Sequence, residues 1–190
     1  MVRGGIGGSN TQTGIHFEGI VDIVTYLNNT VNGYMCTQKP LNRKKQTMGY
    51  DIYYQEEKVA ESFKKHELYR YFDSLEIDWK NILSKKLLPD DAIYVISNNT
   101  VFIIEVKYQE VAGSVDEKLQ TCGFKLNQYK KLFAPLNHNV EYIYILNNWF
   151  RKPEYKDTLD YIIYMNCRYY FEYLPLNEIG LPIPYKNMSI

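Results

Sequence analysis

The sequence has no surplus of charge of either sign: 22 Lys and Arg stand against 22 Asp and Glu in 190 residues. Nucleic-acid-binding chains are often basic overall, so the sum alone lends such a partner no support. Cysteine is scarce. Cys36, Cys122 and Cys167 lie far apart and show no metal-ligand spacing, which argues against a cysteine zinc site or a disulfide framework. No apolar run is long enough to cross a bilayer, and no apolar leader opens the chain. There is no internal repeat and no low-complexity linker. These absences imply a reduced, cytoplasmic protein. What is present is apolar content, 45%, in a length that suits one domain with a sizeable core. Tyrosine is frequent, at 19, and most of it reads as core-edge packing within strands. The cations cluster as Arg43-Lys44-Lys45, Lys64-Lys65, Lys85-Lys86, Lys130-Lys131 and Arg151-Lys152, each by itself an ordinary solvated face.

The chain is organised around residues 88–108, LPDDAIYVISNNTVFIIEVKY. Residues 93–97 and 101–108 read as two strands, with Asn98-Asn99 between them, because asparagine tolerates the left-handed backbone of a hairpin turn. The charges sit only at the hairpin's ends: Asp90 and Asp91 open the first strand, and Glu105 and Lys107 close the second. An antiparallel hairpin brings those ends together. Period-2 geometry places Glu105 and Lys107 on one face and Val106 on the other. Charges are costly on a sheet otherwise built of Val, Ile and Phe unless they have partners or work to do. Convergent carboxylates suit Mg²⁺, a hard cation that takes oxygen ligands. A lysine beside them can orient a water or stabilise charge on a phosphate. The plain alternative is a surface hairpin with an ordinary Glu–Lys pair. Neighbouring residues on a strand face opposite ways, so Asp90 and Asp91 compete for the ligand role.

Pro89-Asp90 followed by Glu105-Val106-Lys107 after a short hairpin resembles the PD-(D/E)xK nuclease signature. The stretch Tyr108-Gln109 through Gly113-Ser114-Val115-Asp116-Glu117-Lys118-Leu119-Gln120-Thr121 is similar to bacterial type II restriction endonucleases, and so is the glycine-rich opening at 4–18 with its Gly-x-x-Phe-Glu ending. The resemblance implies an α/β (α+β) fold: a restriction-endonuclease-like core with a mixed central β-sheet flanked by helices. It implies a prokaryotic, Mg²⁺-dependent DNA endonuclease (Mn²⁺ substituting) that hydrolyses phosphodiester bonds in double-stranded DNA. The alternatives are a nicking or repair/junction nuclease subunit on the same core, or a DNA-binding domain without activity. The family pattern puts the ligand immediately after Pro89, hence Asp90 beside Glu105 as metal ligands, with Lys107 completing the catalytic set. The Val106 backbone carbonyl is a further candidate ligand. Glu18 is another, since many of these nucleases carry an acidic residue on the first helix, although a glutamate also suits a helix N-terminus. Gln109, Lys118, Arg43, Lys44 and Lys45 are the candidate DNA contacts. Symmetric duplex cleavage implies a homodimer, or a partner subunit that supplies recognition.

The remaining chain reads around this hairpin. Residues 1–14 are a flexible Gly-rich segment and 175–190, with three prolines, an irregular tail, within a single domain over 1–190. Helices are expected over 15–27, 58–75, 115–133 and 153–165, with Ser114 and Glu117 as a capping box for the third. Strands are expected over 34–37, 50–54, 140–146 and 168–174. On the 115–133 helix, Lys118 and Lys125 are expected away from the apolar stripe. His66 has no second His or Cys near it and reads as a surface histidine.

Overall fold

The computed structural model describes residues 14–16, 22–110 and 115–184. In chain order its strands are Gly14–His16 (β1), Tyr34–Gln38 (β2), Tyr50–Tyr54 (β3), Glu57–Phe63 (β4), Asp91–Val95 (β5), Thr100–Lys107 (β6), Asn139–Leu146 (β7), Arg168–Phe171 (β8) and Tyr173–Pro175 (β9). The helices are Ile23–Thr30 (α1), His66–Ser74 (α2), Trp79–Ile82 (α3), Val115–Leu119 (α4), Cys122–Phe133 (α5) and Lys156–Tyr164 (α6). Strands β2 to β8 form one mixed sheet in sequence order. Neighbours from β2 to β6 are antiparallel, whereas β6, β7 and β8 are parallel and joined by helical crossovers. The fold is thus an α/β sheet flanked by helices. Among the described residues no helix is long and apolar enough to cross a membrane.

Alternation along β6 divides the core. Val101 and Ile103 pack with α2, α3, α5 and α6 on one face; Phe102 and Ile104 pack with α1 and residues 174–181 on the other. The β5–β6 hairpin pairs Asp91 with Ile104 and Val95 with Thr100, and its turn places Asn99 at φ 51°.

Four elements differ from the sequence reading. The 15–27 helix is instead a strand at Gly14–His16, paired with β9, followed by a helix that starts at Ile23 with the Asp22 carboxylate accepting from Val24 N at 2.9 Å. Residues 57–63, read as the start of a helix, form β4, because Gln55 and Glu56 both take positive φ (49° and 70°) and close a tight hairpin with β3. The 115–133 helix breaks at Gln120-Thr121, where the Thr121 hydroxyl donates to the Lys118 carbonyl at 2.7 Å. The 168–174 strand is two strands, broken at Glu172, whose φ is 58°. Gly123, just after the break at Thr121, lies where a Cβ would come within 2.1 Å of the Met165 Cε, so glycine permits the close approach of α5 to the end of α6. The capping residue Ser114 and the segment 1–13 lie outside the described residues. Beyond Pro175 a short 3₁₀ turn, Leu176–Ile179, buries Leu176, Ile179 and Leu181 against the α1 face.

Candidate active site

The ends of β5 and β6 hold the charged constellation. Asp90 precedes the first residue of β5, and its Oδ2 accepts the Val106 backbone N–H at 3.0 Å, which fixes the carboxylate across the end of the neighbouring strand. Glu105 is 7% exposed. Lys107 Nζ lies 2.7 Å from Glu105 Oε2 and 3.7 Å from Asp90 Oδ2, and it also donates to the Val106 carbonyl at 3.1 Å. The lysine therefore stands between the two carboxylates. Asp90 remains open to solvent, with 44% of its side chain exposed.

Asp91 goes the other way. It is buried on the α1 face, where its Oδ1 accepts from the Ser62 hydroxyl at 2.9 Å. Burial pushes its carboxyl up to about 7, against the opposing pull of Lys64 and Ser62. Lys64 is itself paired with Asp22 at 2.5 Å. The structure thus brings Asp90, Glu105 and Lys107 together and sets Asp91 behind the sheet.

The other candidate residues are placed as follows. Glu18 lies outside the described residues. Gln109 does not continue the strand, which ends at Lys107; it is buried and held by Asn147, whose Oδ1 accepts from Gln109 N at 3.3 Å and whose Nδ2 donates to Gln109 O at 2.8 Å. Lys118 is exposed at the end of α4. Arg43, Lys44 and Lys45 are exposed on a tight turn organised by Asn42, whose Oδ1 accepts from the backbones of Lys44 and Gln46, each at 2.9 Å. His66 is exposed at the start of α2.

Lys125, expected away from the apolar stripe, turns toward the sheet instead. It lies on the sheet-facing side of α5, three residues after Cys122 and four before Tyr129, and its Nζ is 3.7 Å from Glu105 Oε2. The heptad-like spacing itself contained that signal: a residue at i+3 and i−4 from two buried positions shares their face.

The donor set suits a hard divalent cation in kind: two carboxylates and a carbonyl oxygen at one strand end. Among the described residues no group of three or more His, Cys, Asp or Glu is arranged to hold a metal ion.

Residues 45–135, from the loop before β3 to the end of α5, match the family model of the PD-(D/E)XK nuclease superfamily domain. The match supports a nuclease of this superfamily over those residues. The matched segment contains Asp90, Glu105, Lys107 and Lys125. Neither the curated proteins nor the solved structures give a match to the chain. The match covers the part of the chain that builds β3 to α5, and with it the strand ends that hold Asp90, Glu105 and Lys107.

Proposed function

We propose that the protein is a Mg²⁺-dependent endonuclease of double-stranded DNA, of the type II restriction kind, with Asp90, Glu105 and Lys107 as its catalytic residues. The observation that carries this reading is the convergence of those three side chains at one strand end, with Lys107 between the carboxylates. Asp90, Glu105 and the Val106 carbonyl would hold the metal, which supplies Lewis-acid polarisation of the phosphate. Lys107 orients the attacking water or stabilises the charge that develops on the phosphate as the P–O ester bond breaks.

The distribution of cations supports a phosphate-bearing substrate at this edge. Strand directions put the connections at 39–49, 64–65, 83–90 and 147–153 at the same end of the sheet as Lys107. These carry Arg43, Lys44, Lys45, Lys65, Lys85, Lys86, Arg151 and Lys152, besides Lys39 and Lys64, which are paired with Asp51 and Glu61 and with Asp22. The connections at the opposite end, 31–33, 55–56, 96–99, 134–138 and 165–167, contain no Lys or Arg. A neutral chain thus presents a positive edge around its carboxylates, which is the division that phosphate binding beside a metal requires. The 43–45 turn joins β2 and β3, which lie three and two strand spacings from β5, about 10 to 14 Å away and within reach of flanking phosphates. Cutting both strands of a symmetric site calls for two such centres, hence a homodimer.

The test is incubation with plasmid DNA, with and without Mg²⁺, beside Asp90→Ala, Glu105→Ala and Lys107→Ala. Discrete metal-dependent fragments are expected from the wild type, and at least about a thousandfold less cleavage from each variant at unchanged melting temperature. A variant with wild-type activity removes its residue from the mechanism. Nicked circles alone would replace the restriction role with that of a nicking subunit.

A further inference from the structure

Helix α5 brings a second ammonium group to Glu105. Lys125 Nζ lies 3.7 Å from Glu105 Oε2, the oxygen that Lys107 Nζ meets at 2.7 Å. The Lys125 ammonium also lies 5.9 Å from the centre of the buried Tyr142 ring, so its stem is held against the sheet. A lysine on the packed face of a helix is costly without a counter-charge, and Glu105 supplies one. Tyr129, one turn further on, is 1% exposed, and its hydroxyl finds no hydrogen-bond partner among the described residues. Burial, with Glu105 and then Asp90 adding to it, keeps that hydroxyl protonated.

We propose that Lys125 is a positioning residue of the catalytic centre, gripping Glu105 from the helix side so that two lysines, and not Lys107 alone, set the orientation of that carboxylate and the charge around it. The inference rests on the nuclease reading above and deepens it. An ammonium group beside Glu105 fixes the ligand but repels a divalent cation. Removing a unit charge ~6 Å from a doubly charged ion, even at the dielectric of water, changes cation affinity about tenfold. Losing Lys125 therefore tightens metal binding while leaving Glu105 oriented by Lys107 alone, which slows the chemical step.

The experiment compares wild type with Lys125→Met, which keeps the length and the apolar stem, and with Lys125→Arg, which keeps the charge. Mn²⁺ binding is measured by calorimetry without DNA, and plasmid cleavage is followed across Mn²⁺ concentrations. Lys125→Met is expected to bind Mn²⁺ about tenfold more tightly and to cleave at least about tenfold more slowly at saturating metal. Lys125→Arg is expected to restore the wild-type affinity. A purely structural role would lower the melting temperature and leave the affinity unchanged or weaker. Wild-type affinity in Lys125→Met, or tighter binding with an unchanged saturated rate, overturns the inference and leaves the nuclease reading standing. A wild-type protein that binds no Mn²⁺ overturns both.

Discussion

Asp91→Asn should change the pH dependence of stability without touching cleavage. Asp91 is buried beside Ser62 on the α1 face, and its carboxyl is pushed from 3.8 up to about 7 by burial, with Lys64 and the Ser62 hydroxyl opposing and Asp22 adding to the rise. The folded state therefore holds a proton that the unfolded chain releases near its ordinary value. Because the folded pKa lies above the unfolded one, this group's contribution is fully present below about pH 4 and is lost as pH rises through about 7. A difference of about three pH units corresponds to ~4 kcal/mol, at ~1.4 kcal/mol per unit, and the group is too buried for solvent screening to reduce it much. Asparagine is uncharged throughout, and its amide oxygen can still accept from Ser62. Urea denaturation of both proteins from pH 4 to pH 8 isolates the effect, since every other group is common to the two. The stability advantage of the variant should grow by roughly 4 kcal/mol between the ends of that range. Parallel stability curves would refute the burial argument, and loss of cleavage in Asp91→Asn would refute the assignment of Asp90 and Asp91 to opposite faces.

Two further outcomes are expected. Replacing Arg43, Lys44 and Lys45 together by alanine should weaken DNA binding and make the plot of log affinity against log salt shallower by about 2 to 3, one counterion for each lost phosphate contact; an unchanged slope in an anisotropy titration would take the turn out of the interface. Gly49→Ala should cost about 2 kcal/mol or more in urea denaturation, because Gly49 has φ 107° and a Cβ there would meet the Ser62 carbonyl oxygen at 2.3 Å.

The hairpin was legible because everything that makes it is local. The turn is the four residues 96–99, so the first strand ends at Val95 and not at residue 97, but alternation sets the faces and the charges stand within two residues of the strand ends. The elements that the sequence misrepresents depend on distant partners. β1 exists only because Tyr173–Pro175 lies alongside it. β4 looks helical from its Glu, Lys and Ala content, yet Lys58 pairs with Asp51 of the adjoining β3 at 2.7 Å and Glu61 with Lys39, just beyond β2, at 2.9 Å. Its turn is made by Gln55 and Glu56 in a conformation that usually advertises itself with Asn-Gly. The break before α5 is supported from β7, where the Tyr144 hydroxyl donates to the Lys118 carbonyl at 3.2 Å. Lys125 differs for another reason: a lysine suggests solvent by its type, whereas its helical phase, shared with Cys122 and Tyr129, puts it on the sheet side.

The same strand start illustrates how one dipeptide can serve two purposes. Asp90 and Asp91 are chemically identical and adjacent, and the pleat sends them to opposite sides of the sheet. On one side Asp90 meets the Val106 amide and Lys107 and remains open to solvent, where a substrate can reach it. On the other, Asp91 meets Ser62 in the core and its ionisation is suppressed. Removing the first carboxylate should therefore cost activity at constant stability, and removing the second should alter stability at constant activity. A mixed outcome, in which either substitution changed both, would mean that the two faces are coupled through the backbone of β5 and that site and core are not separate at this strand start.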